Sequence, residues 1–227
     1  MSKLLLLSQN GKMKKSSKVG RFELYNFGIP AFRSQDNTVT CPNAGICAKD
    51  CYAQNGTYNF PNVVNAYERR LDQTRELTRF EALIRAEIGL VGVQANAKDK
   101  ECLIRIHDSG DFYSEQYLDK WIEIIQNLPL IHFYAYTKNV QWTKARQLPN
   151  NFTAIYSFGG KQDNLIDCQK DRHSMVFPTL DHLLDAGYVD ASQDDTVAAF
   201  SKSNKIGLVY HGRKKYAKTL WARIVPE

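Results

Sequence analysis

Three cysteines lie close together near the start of the chain and could hold a metal centre. Cys41, Cys47 and Cys51 occur in the run TCPNAGICAKDCYAQNG, residues 40–56, with five and then three residues between them. The Gly, Pro and Asn residues of this run predict a loop that can direct three sulfurs at one point. Zinc sites usually pair thiols two to four residues apart and add a second pair, which this sequence lacks. Three clustered thiolates without a matching fourth favour a [4Fe-4S] cluster with one iron open to a further ligand.

Other interpretations of the three thiols, and of a fourth ligand, stay open. A zinc site completed by a distant His or Cys is one alternative, and ordinary thiols or a disulfide with a spare is another. His107 is the first candidate for a fourth ligand because it ends a predicted strand on the same rim, although a hydrogen-bonded rim histidine explains it as well. Cys168, after the Gly159-Gly160 loop, is the second candidate. Cys102 opens a strand and is expected to be a small core residue.

Length and composition indicate an ordinary globular chain. At 227 residues and 43% hydrophobic content, the chain can bury a sizeable core and is expected to be one domain. The net charge of +6 favours a polyanionic partner such as nucleic acid, but it is also compatible with none. An odd number of cysteines, three of them clustered, predicts a reducing compartment. No stretch is long and apolar enough for a signal peptide or a membrane span, so we expect a cytoplasmic protein without membrane contact.

The hydrophobic pattern predicts a basic N-terminal arm, residues 1–20, followed by one domain, residues 21–227. Residues 8–20 read as a mobile arm or exposed turn. A strand at 21–29 and an amphipathic helix at 62–90 surround the cysteine run. Further strands are predicted at 102–107, 131–136, 152–158, 175–177, 197–200 and 206–210, with helices at 114–128, 139–147 and 181–186, and an acidic loop at 190–195.

Alternating strands and helices predict a parallel sheet, either doubly wound or closed into a partial barrel. In both folds, ligands bind where the carboxyl ends of the strands open into loops. Polar residues follow several predicted strands at this position and are expected to share one binding cavity: Asp108, Ser109, Gly110 and Asp111, then Thr137 and Lys138, then Ser157. Tyr52, which directly follows the last cysteine, belongs to the same set.

The motifs together resemble those of a known family. The cysteine run, a long helix, HDSGDF, an aromatic strand ending in YTK, and then YSFGG resemble the bacteriophage gene product 88 family, a group of iron-sulfur proteins similar to radical S-adenosylmethionine enzymes. The resemblance covers roughly residues 25–178. It implies a partial, open βα barrel like the radical S-adenosylmethionine core, in a phage protein of the host-cell cytoplasm.

The resemblance also implies a chemistry. Cys41, Cys47 and Cys51 would ligate a [4Fe-4S] cluster whose open iron binds S-adenosylmethionine, and reduction would then cleave that cofactor. Ser109, Gly110 and Asp111 occupy the place that holds the amino group of S-adenosylmethionine, and Asp111 or Asp108 could accept hydrogen bonds from the ammonium. The usual enzymes leave three and then two residues between the cysteines, and their aromatic residue precedes the last cysteine. A different loop could therefore occlude the open iron or supply a protein ligand there.

Basic residues near both termini suggest a second kind of partner. Nucleic acid could be bound through Lys12, Lys14, Lys15, Arg213, Lys214, Lys215 and Lys218. For the run HGRKKYAKTLWAR, an amphipathic closing helix is the favoured interpretation. Three hypotheses follow: a cluster-bearing enzyme of unknown substrate, a non-enzymatic iron-sulfur protein that binds nucleic acid or senses redox state, and a zinc-stabilised binding module. The sequence leaves catalysis and oligomeric state open.

Overall fold

A computed structural model describes residues 4–49 and 51–210 of the chain. Seven parallel strands form one sheet, in the order β1-β2-β3-β4-β5-β7-β6, which curls into an open half-barrel. The strands are β1 (Phe22–Phe27), β2 (Glu101–Ile106), β3 (Ile131–Thr137), β4 (Phe152–Ser157), β5 (His173–Phe177), β6 (Val189–Asp190) and β7 (Lys205–Val209). The prediction of a parallel α/β sheet is therefore confirmed, and of the two forms considered the open half-barrel is observed.

Helices connect most of the strands. They are α1 (Gly11–Val19), α2 (Pro61–Thr74), α3 (Leu77–Asn96), α4 (Glu115–Gln126), α5 (Val140–Lys144), α6 (Leu180–Asp185) and α7 (Asp195–Phe200). Short 3-10 turns occupy Ile46–Lys49, Tyr52–Gln54, Gly56–Asn59 and Asp163–Leu165. Ser114 caps α4 as expected, since its hydroxyl accepts a hydrogen bond from the Tyr117 amide at 3.2 Å.

Successive strand residues point to opposite faces of the sheet, and each face is covered by its own hydrophobic core. On the outer face, which packs against α3 and α4, Ile104 belongs to a core with Phe27, Phe80 and Trp121. On the inner face, Leu103 belongs to a separate core. That core also contains Met13, Leu24, Tyr134, Ile155, Ala191, Ala198, Ala199 and Ile206. Cys102 is buried in the outer core, as predicted.

Residues 4–20 are part of the fold. Residues 8–20, predicted as a mobile arm, instead contain α1, whose first turn is capped by Asn10 at 2.9 Å from the Met13 amide. Met13 is fully buried in the inner core, and the Ser17 hydroxyl accepts a hydrogen bond from the Leu24 amide at 2.9 Å. This helix therefore packs onto the inner face beside β1, whose outer edge is met by the Ser8 backbone through two hydrogen bonds with Asn26.

Two other predictions are wrong in detail. The predicted single helix at 62–90 is two helices, because Glu76 caps a new helix by accepting hydrogen bonds from the Thr78 and Arg79 amides. The predicted strand at 197–200 belongs to α7, which Asp194 starts by accepting a hydrogen bond from the Thr196 amide at 2.9 Å. The predicted acidic loop at 190–195 includes the end of β6, which pairs with β7.

Candidate functional site

The loops that carry the predicted site residues meet at one edge of the half-barrel. All strands are parallel, so the loops after β1, β2, β3 and β4 leave the sheet at the same edge. The loop after β1 holds the three cysteines. We refer to residues 40–56 as the cysteine loop and to this edge as the rim.

The start of the cysteine loop is fixed against the loop after β2. The Thr40 hydroxyl donates to the Pro30 carbonyl at 2.6 Å, and its amide donates to the Phe32 carbonyl at 3.0 Å. The Thr40 carbonyl accepts a hydrogen bond from the Asp111 amide at 3.0 Å. Because Thr40 is held on both sides, the position of Cys41 is set by β1 and β2 together.

The middle of the cysteine loop is bound to the loop after β4. The amides of Gly45 and Cys47 both donate to the Gly159 carbonyl at 3.2 Å. In return the Lys161 amide donates to the Asn43 carbonyl at 2.9 Å. Gly159 has a φ of +100°, a conformation that favours glycine, and Asp163 holds its amide at 2.8 Å. The GG motif therefore supplies a docking surface for the backbone of the cysteine loop.

The structure brings the three thiols within electrostatic reach of one another. Cys41, Cys47 and Cys51 are partly buried, and none is in a disulfide. Burial raises the pKa of the Cys41 thiol, and the nearby charge of Asp111 and the two other thiols add to that effect. Burial also raises the pKa of Cys51, where the positive charge of Lys138 acts in the opposite direction. Three thiols in this environment could act together as ligands of a cationic centre.

In the described part of the chain the three thiols are not arranged as a metal site, either with one another or with a fourth side chain. Within residues 4–49 and 51–210, no group of three or more His, Cys, Asp and Glu side chains is arranged to hold a metal ion. Cys168 is exposed and interacts with Tyr188, just before β6.

His107 lies in the outer core. Its φ of +64° turns the ring away from the strand alternation and among Phe112, Tyr117 and Trp121. Its Nε2 atom is 3.0 Å from the Tyr117 hydroxyl, and burial together with the charge of Arg105 lowers the pKa of His107 to about 3. This histidine is therefore neutral and packed among aromatic rings.

Asp111 connects two rim loops through its carboxylate. Oδ1 accepts hydrogen bonds from the Thr137 hydroxyl at 2.7 Å and the Phe112 amide at 2.8 Å, and Oδ2 accepts one from the Lys138 amide at 2.8 Å. Burial nevertheless raises the pKa of Asp111. Three donors from the chain already occupy this carboxylate, so its role here is to hold the loops after β2 and β3 together.

Ser109 and Gly110 form the turn between β2 and Asp111. The Ser109 carbonyl accepts a hydrogen bond from the Ile29 amide at 3.1 Å. Gly110 has a φ of +81°, and a Cβ there would lie 2.3 Å from a side-chain carbon of Ile29. The Ser-Gly-Asp motif thus gives a tight turn that packs on the end of β1.

Asp108 lies among three tyrosines. Its Oδ2 atom accepts a hydrogen bond from the Tyr67 hydroxyl at 2.9 Å and lies 3.5 Å from the Tyr58 hydroxyl. The Tyr52 hydroxyl donates to the Asp108 carbonyl. A Cβ on Gly28 would lie 2.0 Å from Oδ1, so Gly28 makes room for this carboxylate. Burial raises the pKa of Asp108.

Lys138 supplies a fixed positive charge beside the thiols. Its Nζ atom donates to the carbonyl and hydroxyl of Ser157, both at 2.7 Å, and to the Phe158 carbonyl at 2.8 Å. These bonds hold the ammonium in one position. Thr137, Lys138 and Ser157, which the sequence assigned to a shared cavity, are therefore joined through Asp111 and Lys138.

Arg105 is a largely buried polar residue that none of the sequence motifs indicated. It lies on the inner face of β2, and its Nη2 atom donates to the Tyr52 hydroxyl at 3.1 Å. Its guanidinium lies 5.2 Å from the centre of the Tyr136 ring. The sequence signal was a charged residue in the middle of the apolar strand CLIRIH.

The basic residues proposed for nucleic-acid contact are only partly on the described surface. Lys12 forms an ion pair with Asp195 at 2.9 Å. Lys14 and Lys15 are exposed. The remaining four, Arg213, Lys214, Lys215 and Lys218, lie outside the described residues. Among the helices that the structure describes, none combines the length and apolar character needed to cross a bilayer.

The fold and site define a class of proteins: parallel α/β half-barrels with a cysteine-bearing loop after the first strand. The chain belongs to the gene product 88 family, whose sequence profile matches residues 4–223. It is 33% identical over 121 residues to the gene 88 protein of Mycobacterium phage L5 and 32% identical over 121 residues to that of Mycobacterium phage D29. Each alignment covers 50% of this chain and 47% of the relative, so the match spans about half the length of these proteins. No solved structure matches the chain.

Proposed function

We propose that the chain is an iron-sulfur protein in which Cys41, Cys47 and Cys51 hold a [4Fe-4S] cluster at the rim of the half-barrel. The observation that supports this proposal is that three thiols outside any disulfide lie in one loop, near enough for Cys47 and Cys51 to act on the pKa of Cys41, and that the backbone of this loop is bound to the loops after β2 and β4. Thiolates are the usual ligands of such clusters.

The donor set fits the cluster chemically. Each thiolate of a four-iron cluster binds a different iron, so the three thiols of the cysteine loop would supply three of its corners once the loop brings them into ligating positions. The thiols are partly buried, which limits attack by solvent, and they are reduced. When bound, such a cluster would supply one-electron chemistry and one iron open to a further ligand.

Residues of the chain would stabilise the bound thiolates. Lys138 is the cation that acts on Cys51, because its positive charge lowers the pKa of that thiol. The Lys138 ammonium donates three hydrogen bonds to uncharged oxygens of Ser157 and Phe158, which keep it in place and leave its charge unpaired by a carboxylate there. The charge of Asp111 opposes ionisation of Cys41, but its carboxylate ties the Lys138 backbone to the loop that fixes Cys41.

The catalytic form of the proposal is that S-adenosylmethionine binds at the open iron and is cleaved on reduction, with an unidentified substrate. It rests on the resemblance to radical S-adenosylmethionine enzymes. Asp111, matched to the residue that meets the ammonium of that cofactor, already accepts three hydrogen bonds within the chain. The non-catalytic form, in which the cluster is structural or senses redox state, requires no such acceptor.

The cluster is tested on anaerobically purified full-length protein. We expect broad visible absorption near 400 nm with about four irons and four sulfides per chain. Cys41→Ser, Cys47→Ser and Cys51→Ser should each lose most of this absorption, whereas Cys168→Ser, which changes an exposed cysteine, should retain it. A colourless protein with about one zinc per chain would overturn the proposal in favour of a zinc module.

The catalytic form has its own test. When a reductant is added to the cluster-loaded protein in the presence of S-adenosylmethionine, 5′-deoxyadenosine should be released. The Cys51→Ser variant should release none. Intact S-adenosylmethionine after many equivalents of reductant, in protein with a full complement of iron, would reject catalysis and leave the non-enzymatic iron-sulfur protein.

A further inference from the structure

A group of buried and half-buried polar side chains lies on the inner face of the sheet, next to the cysteine loop. It consists of Arg105 on β2, Tyr134 and Tyr136 on β3, and Asp195 at the start of α7. Tyr52 connects this group to the cysteine loop through its hydrogen bond with Arg105. We refer to the four residues Arg105, Tyr134, Tyr136 and Asp195 as the inner polar cluster.

Arg105 has few partners for a guanidinium that is largely buried. Its Nη2 atom donates to the Tyr52 hydroxyl, and its Nη1 atom is 3.9 Å from Asp195 Oδ1, which is too long for a hydrogen bond. Its Nε atom is buried and has no hydrogen-bond partner. A charged group in this environment is normally paired and fully hydrogen-bonded.

The other members of the inner polar cluster are also unsatisfied. The hydroxyls of Tyr134 and Tyr136 and the Oδ2 atom of Asp195 are buried without a hydrogen bond of ordinary geometry, although Tyr134 and Asp195 are close enough for the carboxylate to raise the pKa of the phenol. Tyr134 is 1% exposed and Asp195 2% exposed. Native proteins satisfy nearly all buried polar atoms with protein, water or ligand, so these four atoms around one guanidinium require further hydrogen-bonding partners.

The charge of the inner polar cluster indicates which kind of ligand it would bind. Two cations act on Asp195, since Lys12 Nζ lies 2.9 Å from its Oδ1 and Arg105 lies on the same side at 3.9 Å. Arg172 adds a further positive charge that acts on Tyr136. Asp108 adds a second carboxylate, since Arg105 also acts on it, so two carboxylates lie near three cations, and three of the four unpartnered atoms are donors. Donors with excess positive charge bind oxyanions.

We infer that the inner polar cluster binds an oxyanion, the carboxylate or phosphate group of a small ligand. The Nε–H of Arg105 and the hydroxyls of Tyr134 and Tyr136 donate to it. Asp195 positions Arg105 and Lys12 and leaves Oδ2 free for a hydroxyl or ammonium on the same ligand. The inference stands independently of the cysteine loop and does not require a bound cluster.

Thermal unfolding of the full-length protein in different sodium salts tests this inference. At matched ionic strength, millimolar phosphate or acetate should raise the melting temperature saturably above its value in chloride, by about 2 to 4 °C near ten times the dissociation constant. A response to phosphate alone identifies a phosphate ligand, and a response to acetate alone identifies a carboxylate. Equal melting temperatures in all three salts would overturn the inference and mean that only water fills the cluster.

Variants locate the response. Tyr136→Phe removes an unpartnered hydroxyl but keeps the ring beside Arg105, so it should fold as well as the parent while the shift caused by the anion falls by at least half. Arg105→Gln should abolish the shift, and Arg69→Gln, which changes an exposed arginine of α2, should preserve it. If Arg105→Gln fails to fold, Tyr136→Phe decides the question. An undiminished shift in Tyr136→Phe would place the anion elsewhere.

The same samples separate this inference from the proposed function. Their visible absorption reports whether the iron-sulfur cluster is bound, and the shift in their melting temperature reports whether the anion binds. An anion-dependent shift in colourless protein would support the inner polar cluster while it counts against the iron-sulfur proposal. Coloured protein whose melting temperature does not respond to the anion would support the iron-sulfur proposal and overturn the inference about the inner polar cluster.

Discussion

Gly45 contacts Gly159 so closely that neither a side chain nor a water molecule separates the two backbones. The Gly45 amide donates to the Gly159 carbonyl at 3.2 Å, and a Cβ on Gly45 would lie 2.8 Å from that oxygen and 2.9 Å from the Gly160 carbonyl. Because the obstructing atoms are backbone, the cysteine loop itself would have to move. The position of Cys47 thus depends on two glycines more than one hundred residues apart in the sequence.

Gly45→Ala should therefore displace the cysteine loop. We expect faster reaction of the loop cysteines with a thiol reagent in iron-free protein, and a lower iron content after reconstitution under the proposed function. Gly89→Ala is the matched control, since a Cβ there meets nothing within 4 Å and a helix gains from alanine. Unchanged thiol reactivity in Gly45→Ala would show that the loop tolerates the added methyl group.

Lys138 should promote ionisation of the Cys51 thiol. Lys138→Gln removes the charge that lowers the pKa of this thiol, so iodoacetamide should label Cys51 more slowly at pH 8. Mass spectrometry of iron-free protein gives the labelling rate of each cysteine. Cys47 in the same molecule serves as a reference for accessibility of the loop. A Cys51 to Cys47 rate ratio that stays constant or rises would contradict this role of Lys138.

The sequence predicted the layout of the site better than its contacts. Alternating strands and helices predicted a parallel sheet with polar loops at one edge, and the loops that carry Asp111 and Lys138 do meet there. The roles of these side chains depend on partners distant in sequence. Asp111 looked available for a ligand because no local pattern shows that Thr137 and the Lys138 amide bind it.

Backbone conformation and tertiary burial explain the remaining differences. His107 ends a strand, and alternation alone would place it on the inner face, but its φ of +64° turns it into the outer core. The polar sequence of α1 indicated an exposed arm, yet one apolar residue, Met13, anchors it in the inner core. A strand-like run at 197–200 became helical because of a single capping carboxylate, Asp194. Periodicity over so few residues cannot distinguish these outcomes.

The burial of α1 can be measured through Met13. Met13→Ala should lower the free energy of unfolding by about 2 to 4 kcal/mol, because it leaves a cavity among Leu24, Leu103 and Tyr134. Lys15→Ala, on the exposed side of the same helix, should change stability by less than about 0.5 kcal/mol. Urea denaturation of both variants compares the two sites. Equal, small effects would mean that α1 is not packed in solution.

His107 should make the fold sensitive to acid. Burial lowers its pKa to about 3 in the folded chain, whereas an unfolded histidine titrates near about 6.5, so the unfolded state binds more protons between these two pH values. The stabilisation from the neutral ring is therefore complete above pH 6.5 and is lost by up to about 1.4 kcal/mol per pH unit as the pH falls toward 3. His107→Asn replaces the titrating group by a residue that tolerates positive φ. Between pH 7 and pH 5 the free energy of unfolding should fall in both proteins, and the fall should be about 2 kcal/mol smaller in His107→Asn than in the parent. Urea denaturation at the two pH values measures this difference, and parallel losses in both proteins would show that His107 is not buried as a neutral ring.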